Sequence, residues 1–127
     1  MVLLDTCALI WLVEDLDCLS AEAKATISQN GEDLHISAIS ALEISLLAVK
    51  KRILLPEDPF KWYSDALRLH GVREVAVNGA VAYESGKLPL IHKDPCDRII
   101  IATAIKHKAT VVTKDSVFRK YKIHVVW

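Results

Sequence analysis

Two short apolar runs, each ending close to a carboxylate, constrain this chain most. Val2-Leu3-Leu4 passes directly into Asp5, with no turn residue between them. Thr110-Val111-Val112-Thr113 stops two residues short of Asp115. A run without a polar face suits a strand covered on both sides, as in a parallel sheet. Parallel strands need crossover connections, and the stretches between these runs read as helices. The expected fold class is therefore α/β, with a central, mostly parallel sheet flanked by helices.

Local signals place the elements. Thr6 to Val13 reads as the first helix, capped by Asp5 or Thr6, with capping preferred for Thr6 over a role in supporting Asp5. Ser20-Ala21-Glu22 opens a second helix that Asn30-Gly31 ends. Leu34 to Ser37 is a strand, and Ala38 to Lys51 a helix whose apolar face is Ile39, Leu42, Leu46, Leu47 and Val49. Pro56 and Pro59 break the chain before a helix from Phe60 to His70, with Gly71 just past its end. Glu74 to Val77 is the third strand. Asn78 caps a short helix reaching Ser85, Asp97 to His107 is the late helix, and Ser116 to Tyr121 is a helical turn. Ile123 to Val126 is the last strand. No repeat or linker interrupts the 127 residues, so residues 1–127 read as one domain.

Composition narrows the class of function. Hydrophobic residues at 52% supply a core and argue against disorder. A formal net charge of +0 argues against a generic basic coat for nucleic acid, without excluding a local basic rim. The three cysteines, Cys7, Cys18 and Cys96, form no C-x-x-C pair, which suits a reducing cytoplasm and argues against structural zinc. No apolar run has bilayer-spanning length, so no membrane association is expected.

Four acidic residues can reach one pole. Ligands of open parallel sheets bind beyond the carboxyl ends of the strands, where Asp5 and Asp115 fall. Asp97 starts a helix, and Glu43 lies one turn into the helix after the second strand. Each also has a plain structural reading. Asp94 and Asp97 have the spacing of a capping box with Pro95 at the favoured first position, and Ser40 and Glu43 share that spacing. Asp5 and Asp115 read equally as helix caps. Two details favour a site. Glu43 sits among Ile39, Leu46 and Leu47 with no basic residue within a turn, and a carboxylate there needs a partner. Asp5 is held at a buried sheet end rather than on a loop. Carboxylates crowded together repel unless a cation joins them, and Mg²⁺ or Mn²⁺ favours such oxygens. The chemistry this implies is metal-assisted attack of water on a phosphodiester.

These residues resemble the PIN-domain ribonucleases, and within them the VapC-like toxins of toxin–antitoxin pairs. The resemblance spans nearly the whole chain. It rests on Leu4-Asp5-Thr6, Ser40-Ala41-Leu42-Glu43, Asp97-Arg98-Ile99-Ile100-Ile101-Ala102-Thr103-Ala104 and Val112-Thr113-Lys114-Asp115. It implies Asp5, Glu43, Asp97 and Asp115 as the catalytic, metal-binding set, with Mg²⁺ or Mn²⁺ as cofactor. Thr113 is implied as the hydroxyl that orients the acidic pocket. Asp94 matches the extra acid of a subgroup with an Asp-Pro-x-Asp-Arg motif, and supporting and capping roles stand level for it. Cys96 departs from the bulky apolar residue common at that position. An RNA substrate, a cognate antitoxin and a homodimer are further implications.

Around this set, Arg98 and Lys114 are candidates for holding RNA phosphates, whereas Lys93 reads as a solvated rim. Arg98 has a second reading, pairing with Asp94 or Asp97. His92, near the acidic motif, reads as a surface residue in preference to one touching substrate, Cys7 as a small buried one, and Trp11, Trp62 and Trp127 as core or interface aromatics, with stacking on RNA bases an unsupported second reading for Trp62. Three other functions compete. A PIN-fold binding module with a dead site conflicts with the complete acidic set. A receiver-like signalling domain needs an acidic pair after the first strand, where Thr6-Cys7 follows Asp5 instead. A phosphatase using Asp5 as nucleophile wants a second Asp at position 7, which is Cys7.

Overall fold

The computed structural model describes residues 1–127. Five strands form the sheet: β1 (Val2–Leu4), β2 (Leu34–Ser37), β3 (Arg73–Val75), β4 (Thr110–Val112) and β5 (His124–Val126). Six α-helices connect them: α1 (Thr6–Glu14), α2 (Ala21–Gln29), α3 (Ile39–Val49), α4 (Pro59–His70), α5 (Gly79–Lys87) and α6 (Pro95–His107). Two 3-10 turns, Leu16–Cys18 and Ser116–Tyr121, complete the chain.

Every strand pair is parallel, in the order β3-β2-β1-β4-β5. The apolar runs explain the middle of that order. Along β1, Val2 and Leu4 face one layer of helices while Leu3 faces the other. Val112 and Val111 divide in the same way on β4. The first layer packs Ala8, Leu9, Ala23, Ile27, Trp62 and Tyr63 from α1, α2 and α4. The second packs Ile100, Ile101 and Ala104 of α6 with Phe118 and Tyr121. Burying one such large aliphatic side chain contributes about 1.5–3 kcal/mol, so polar substitution within β1 or β4 would cost both layers.

Strand order also fixes where a site can form. The chain leaves β1 towards β2 on one side, and β4 lies on the other, so the order reverses between β1 and β4. Leu4 pairs in register with both Ile36 and Val112, which brings Asp5, Ser37 and Thr113 to one edge of the sheet. The Asp5 N–H donates to the Val112 carbonyl at 3.1 Å and closes that register.

Several elements differ from the sequence expectation. The third strand is Arg73–Val75, because residues after Val75 lack a partner strand. Helix α6 starts at Pro95, since Asp94 is its cap, and α5 runs on to Lys87. The expected apolar face of α3 is largely wrong: Leu42, Leu46 and Val49 are exposed, while Ser40 and Ile44 are buried. That helix is apolar nearly all round, so its pattern has no phase to read. No helix is long and apolar enough to cross a membrane.

Candidate active site

At the carboxyl edge, Asp5 does two things. One oxygen, Oδ1, accepts the Ala8 N–H at 2.7 Å and caps α1. The carboxyl group is nevertheless buried. Burial pushes it up to about 6, against the pull of the Thr113 hydroxyl and the Ala8 N–H, with the Asp115 charge adding to the rise. Thr6 is therefore not the cap. Its hydroxyl donates to Glu43 Oε1 at 2.7 Å, and Ser40 Oγ lies 2.8 Å from Thr6 Oγ1. A hydroxyl has one proton, so the Ser40 O–H is left to donate to Thr6. This chain of hydroxyls turns Glu43 back over the sheet edge.

Glu43 and Asp97 share a common field. Burial raises the Glu43 carboxyl, the Thr6 bond opposes it, and the charges of Asp94 and Asp5 add to the rise. Burial likewise pushes Asp97 up to about 7, helped by the charges of Glu43, Asp94 and Asp5, with His92 opposing. Asp115 caps the 3-10 turn through Oδ1, which accepts the Val117 N–H at 2.9 Å. The Asp115 N–H donates to Thr113 Oγ1 at 3.0 Å, so Thr113 shapes this bend of the chain.

The capping-box question has a geometric answer. Asp94 Oδ1 accepts the Cys96 and Asp97 N–H groups at 2.8 and 3.3 Å, so Asp94 caps α6. A full box would return the Asp94 N–H to the Asp97 carboxylate. Here that N–H goes to His92 Nδ1 at 3.2 Å, and Asp97 Oδ2 faces His92 Nε2 at 3.1 Å instead. Ser40 lies inside α3 and caps nothing. The structural readings of Asp5, Asp94 and Asp115 thus hold for one oxygen of each, while the Asp97 and Glu43 carboxylates face the cluster.

Three side chains stand elsewhere than expected. His92 is not a surface residue; its side chain is 12% exposed and also lies 2.8 Å from Asp115 Oδ2. Arg98 neither faces solvent nor pairs with Asp94 or Asp97. It is 7% exposed and donates to the carbonyls of Ser85, Gly86, Leu88, Pro89 and His92, which tether the segment before α6. The chain direction explains this, because α6 buries the face that carries Arg98 against that segment. Cys7 is exposed rather than buried. Trp62 is buried and donates to Glu14 at 2.6 Å, which removes it as a stacking surface. Lys93 is exposed, and Lys114 lies 6.0 Å from the Trp11 ring centre. The single sequence signal for His92 was its place two residues before the acidic motif.

No lysine or arginine nitrogen comes within 4.0 Å of Asp5, Glu43, Asp97 or Asp115. Oxygen donors crowded at a sheet edge without a basic partner fit a hard divalent cation. His92, Asp97 and Asp115 place one ligand-type atom each within 4.8 Å of one another.

The parallel sheet with acids at its switch point is an arrangement that a PIN domain has. The family pattern matches residues 2–123, and the chain belongs to that family. Among its relatives, Ribonuclease VapC22 of Mycobacterium tuberculosis is 36% identical over 122 residues, covering 95% of this chain and 92% of that protein. Two solved structures share the fold. FitAB bound to an IR36 DNA fragment superimposes with a TM-score of 0.71 at 22% identity, over 98% of this chain and 93% of that one. A toxin–antitoxin complex from Klebsiella pneumoniae gives 0.62 at 24%, over 91% and 88%.

Proposed function

We propose that this chain is a metal-dependent endoribonuclease that hydrolyses RNA phosphodiester bonds and acts as the toxin of a toxin–antitoxin pair. The observation that carries the reading is the acidic set at the β1/β4 switch point, which no lysine or arginine neutralises. The 36% identity to a named ribonuclease supports the reaction class, and the fold shared with a toxin–antitoxin complex supports an antitoxin partner. An RNA substrate, a homodimer, a cytoplasmic location and a single domain over residues 1–127 belong to the same proposal.

Asp5, Glu43, Asp97 and Asp115 are the proposed catalytic residues, and their carboxylate oxygens would hold Mg²⁺ or Mn²⁺. Such an ion, when bound, supplies Lewis acidity that activates water and offsets charge on the phosphate. The chain's own residues do the rest. Thr6 and Ser40 hold Glu43 in place. Thr113 keeps the bend that presents Asp115. Asp94 fixes the first turn of α6 and so the position of Asp97. Incubation with RNA should give cleavage with Mn²⁺ or Mg²⁺ and none with chelator. Equal cleavage with and without chelator would sink the metal reading, and no cleavage of any RNA class would sink the nuclease reading.

The acidic cluster also predicts how stability follows pH. Asp5 and Asp97 stand at about 6 and about 7, against an ordinary value of 3.8. Between about pH 4 and about pH 7 the folded chain holds protons that the unfolded chain has released. This contribution is fully present at the low end and is lost as pH rises through the two folded values. The metal-free melting temperature should therefore fall across that interval, and the rise on adding Mn²⁺ should grow over it. A metal-free melting temperature that climbs through the interval would contradict the assignment.

A further inference from the structure

His92 is held at every polar atom it has. Its N–H donates to the Tyr121 hydroxyl at 2.6 Å, and its carbonyl accepts from Arg98 at 3.0 Å. Its ring stands edge-on to Phe118, with centres 5.7 Å apart. Nδ1 accepts the Asp94 N–H at 3.2 Å, and Nε2 sits between Asp115 Oδ2 at 2.8 Å and Asp97 Oδ2 at 3.1 Å. A backbone N–H cannot accept, so Nδ1 must present a lone pair to it. In the neutral imidazole the proton then lies on Nε2. An Nε2 that carries a proton has no lone pair for a metal ion.

Resting on the metal-site reading above, we propose that His92 is a positioning residue and not a metal ligand. It donates one shared N–H to Asp97 and Asp115 and fixes the spacing at which their remaining lone pairs meet the cation. Proximity alone would place His92 among the ligands, since its nitrogen lies within 4.8 Å of both oxygens. The Asp94 N–H decides otherwise. To ligate through Nε2, the ring would have to carry its proton on Nδ1, facing another donor. The site thus remains an all-oxygen one, which suits Mg²⁺ as well as Mn²⁺. Groups that orient metal-binding carboxylates through hydrogen bonds typically change metal affinity 10–100-fold when removed.

The test uses the intact chain with Mn²⁺ alone. Pulsed EPR of the bound ion reads any directly bonded ¹⁴N, and titration reads affinity. The parent chain should bind Mn²⁺ with no imidazole ¹⁴N coupling. His92→Ala should bind about 10–100-fold more weakly. His92→Gln, whose amide N–H can take the place of Nε2–H, should recover most of that loss. An imidazole coupling in the parent overturns the proposal, and needs no variant to fold. So does an unchanged affinity in His92→Ala, or a Gln variant as weak as the Ala one. A parent chain that binds no Mn²⁺ removes the metal-site reading itself, whereas binding indifferent to His92 removes only this inference.

Discussion

Asp97→Asn should reduce metal-dependent RNA cleavage by about 100-fold or more. The substitution is isosteric, and the amide oxygen can still accept from His92 Nε2 where Asp97 Oδ2 now does at 3.1 Å. What it removes is charge. That charge lies in a half-buried setting, where partial burial and the neighbouring charges of Glu43, Asp94 and Asp5 push the carboxyl up to about 7. Losing it weakens the attraction for a divalent cation and relieves the repulsion among the other carboxylates. Metal-free Asp97→Asn should therefore melt higher than the parent, and Mn²⁺ should raise its melting temperature less. A mutant that cleaves as fast as the parent at saturating Mn²⁺ would remove Asp97 from the catalytic set. Equal Mn²⁺-induced shifts in both proteins would remove it from the metal site.

Arg98→Ala should be the most destabilising single change near the site. The guanidinium donates to Leu88, Ser85, Pro89 and His92 carbonyls at 2.8, 2.9, 2.9 and 3.0 Å, with Gly86 at 3.4 Å. Hydrogen bonds to a charged group contribute about 1.5–3 kcal/mol each, and their loss leaves carbonyls without a partner. A cost of at least about 3 kcal/mol follows, against a total of about 5–15 kcal/mol for an ordinary domain. The melting temperature should drop by about 10 °C or more. Arg98→Lys should recover less than half, because one ammonium cannot span carbonyls that a planar fork reaches together. The effect extends to the site, because this network holds the His92 backbone. A melting point for Arg98→Ala within about 2 °C of the parent would show that the tether contributes little.

Arg98 and His92 also mark the limit of what the chain's order reveals. Arg98 stands beside two acids in sequence, and pairing with them or facing RNA was the natural expectation. The helix instead turns it towards carbonyls up to 13 residues away. His92 meets Asp115 across 23 residues, a contact with no local signature. Helix α3 shows the converse difficulty. Its residues are apolar on almost every side, so periodicity could not say that Ile44 faces inward and Leu42, Leu46 and Val49 outward.

The acids at the strand ends were legible for a physical reason. A run such as Val2-Leu3-Leu4 has no polar face, so it must lie in a sheet covered on both sides, and the residue after it must emerge at the sheet's edge. Glu43 was legible because a carboxylate among apolar neighbours needs a partner. The α/β class, the parallel strands and the candidate acids therefore follow from the chain's own order of residues. Which oxygen of each acid caps a helix and which is left for the site was decided only in three dimensions. The spacing of Asp94 and Asp97 is the same in a capping box and in a metal site. Only the position of His92, which takes the Asp94 N–H on one ring nitrogen and faces Asp97 with the other, separates the two.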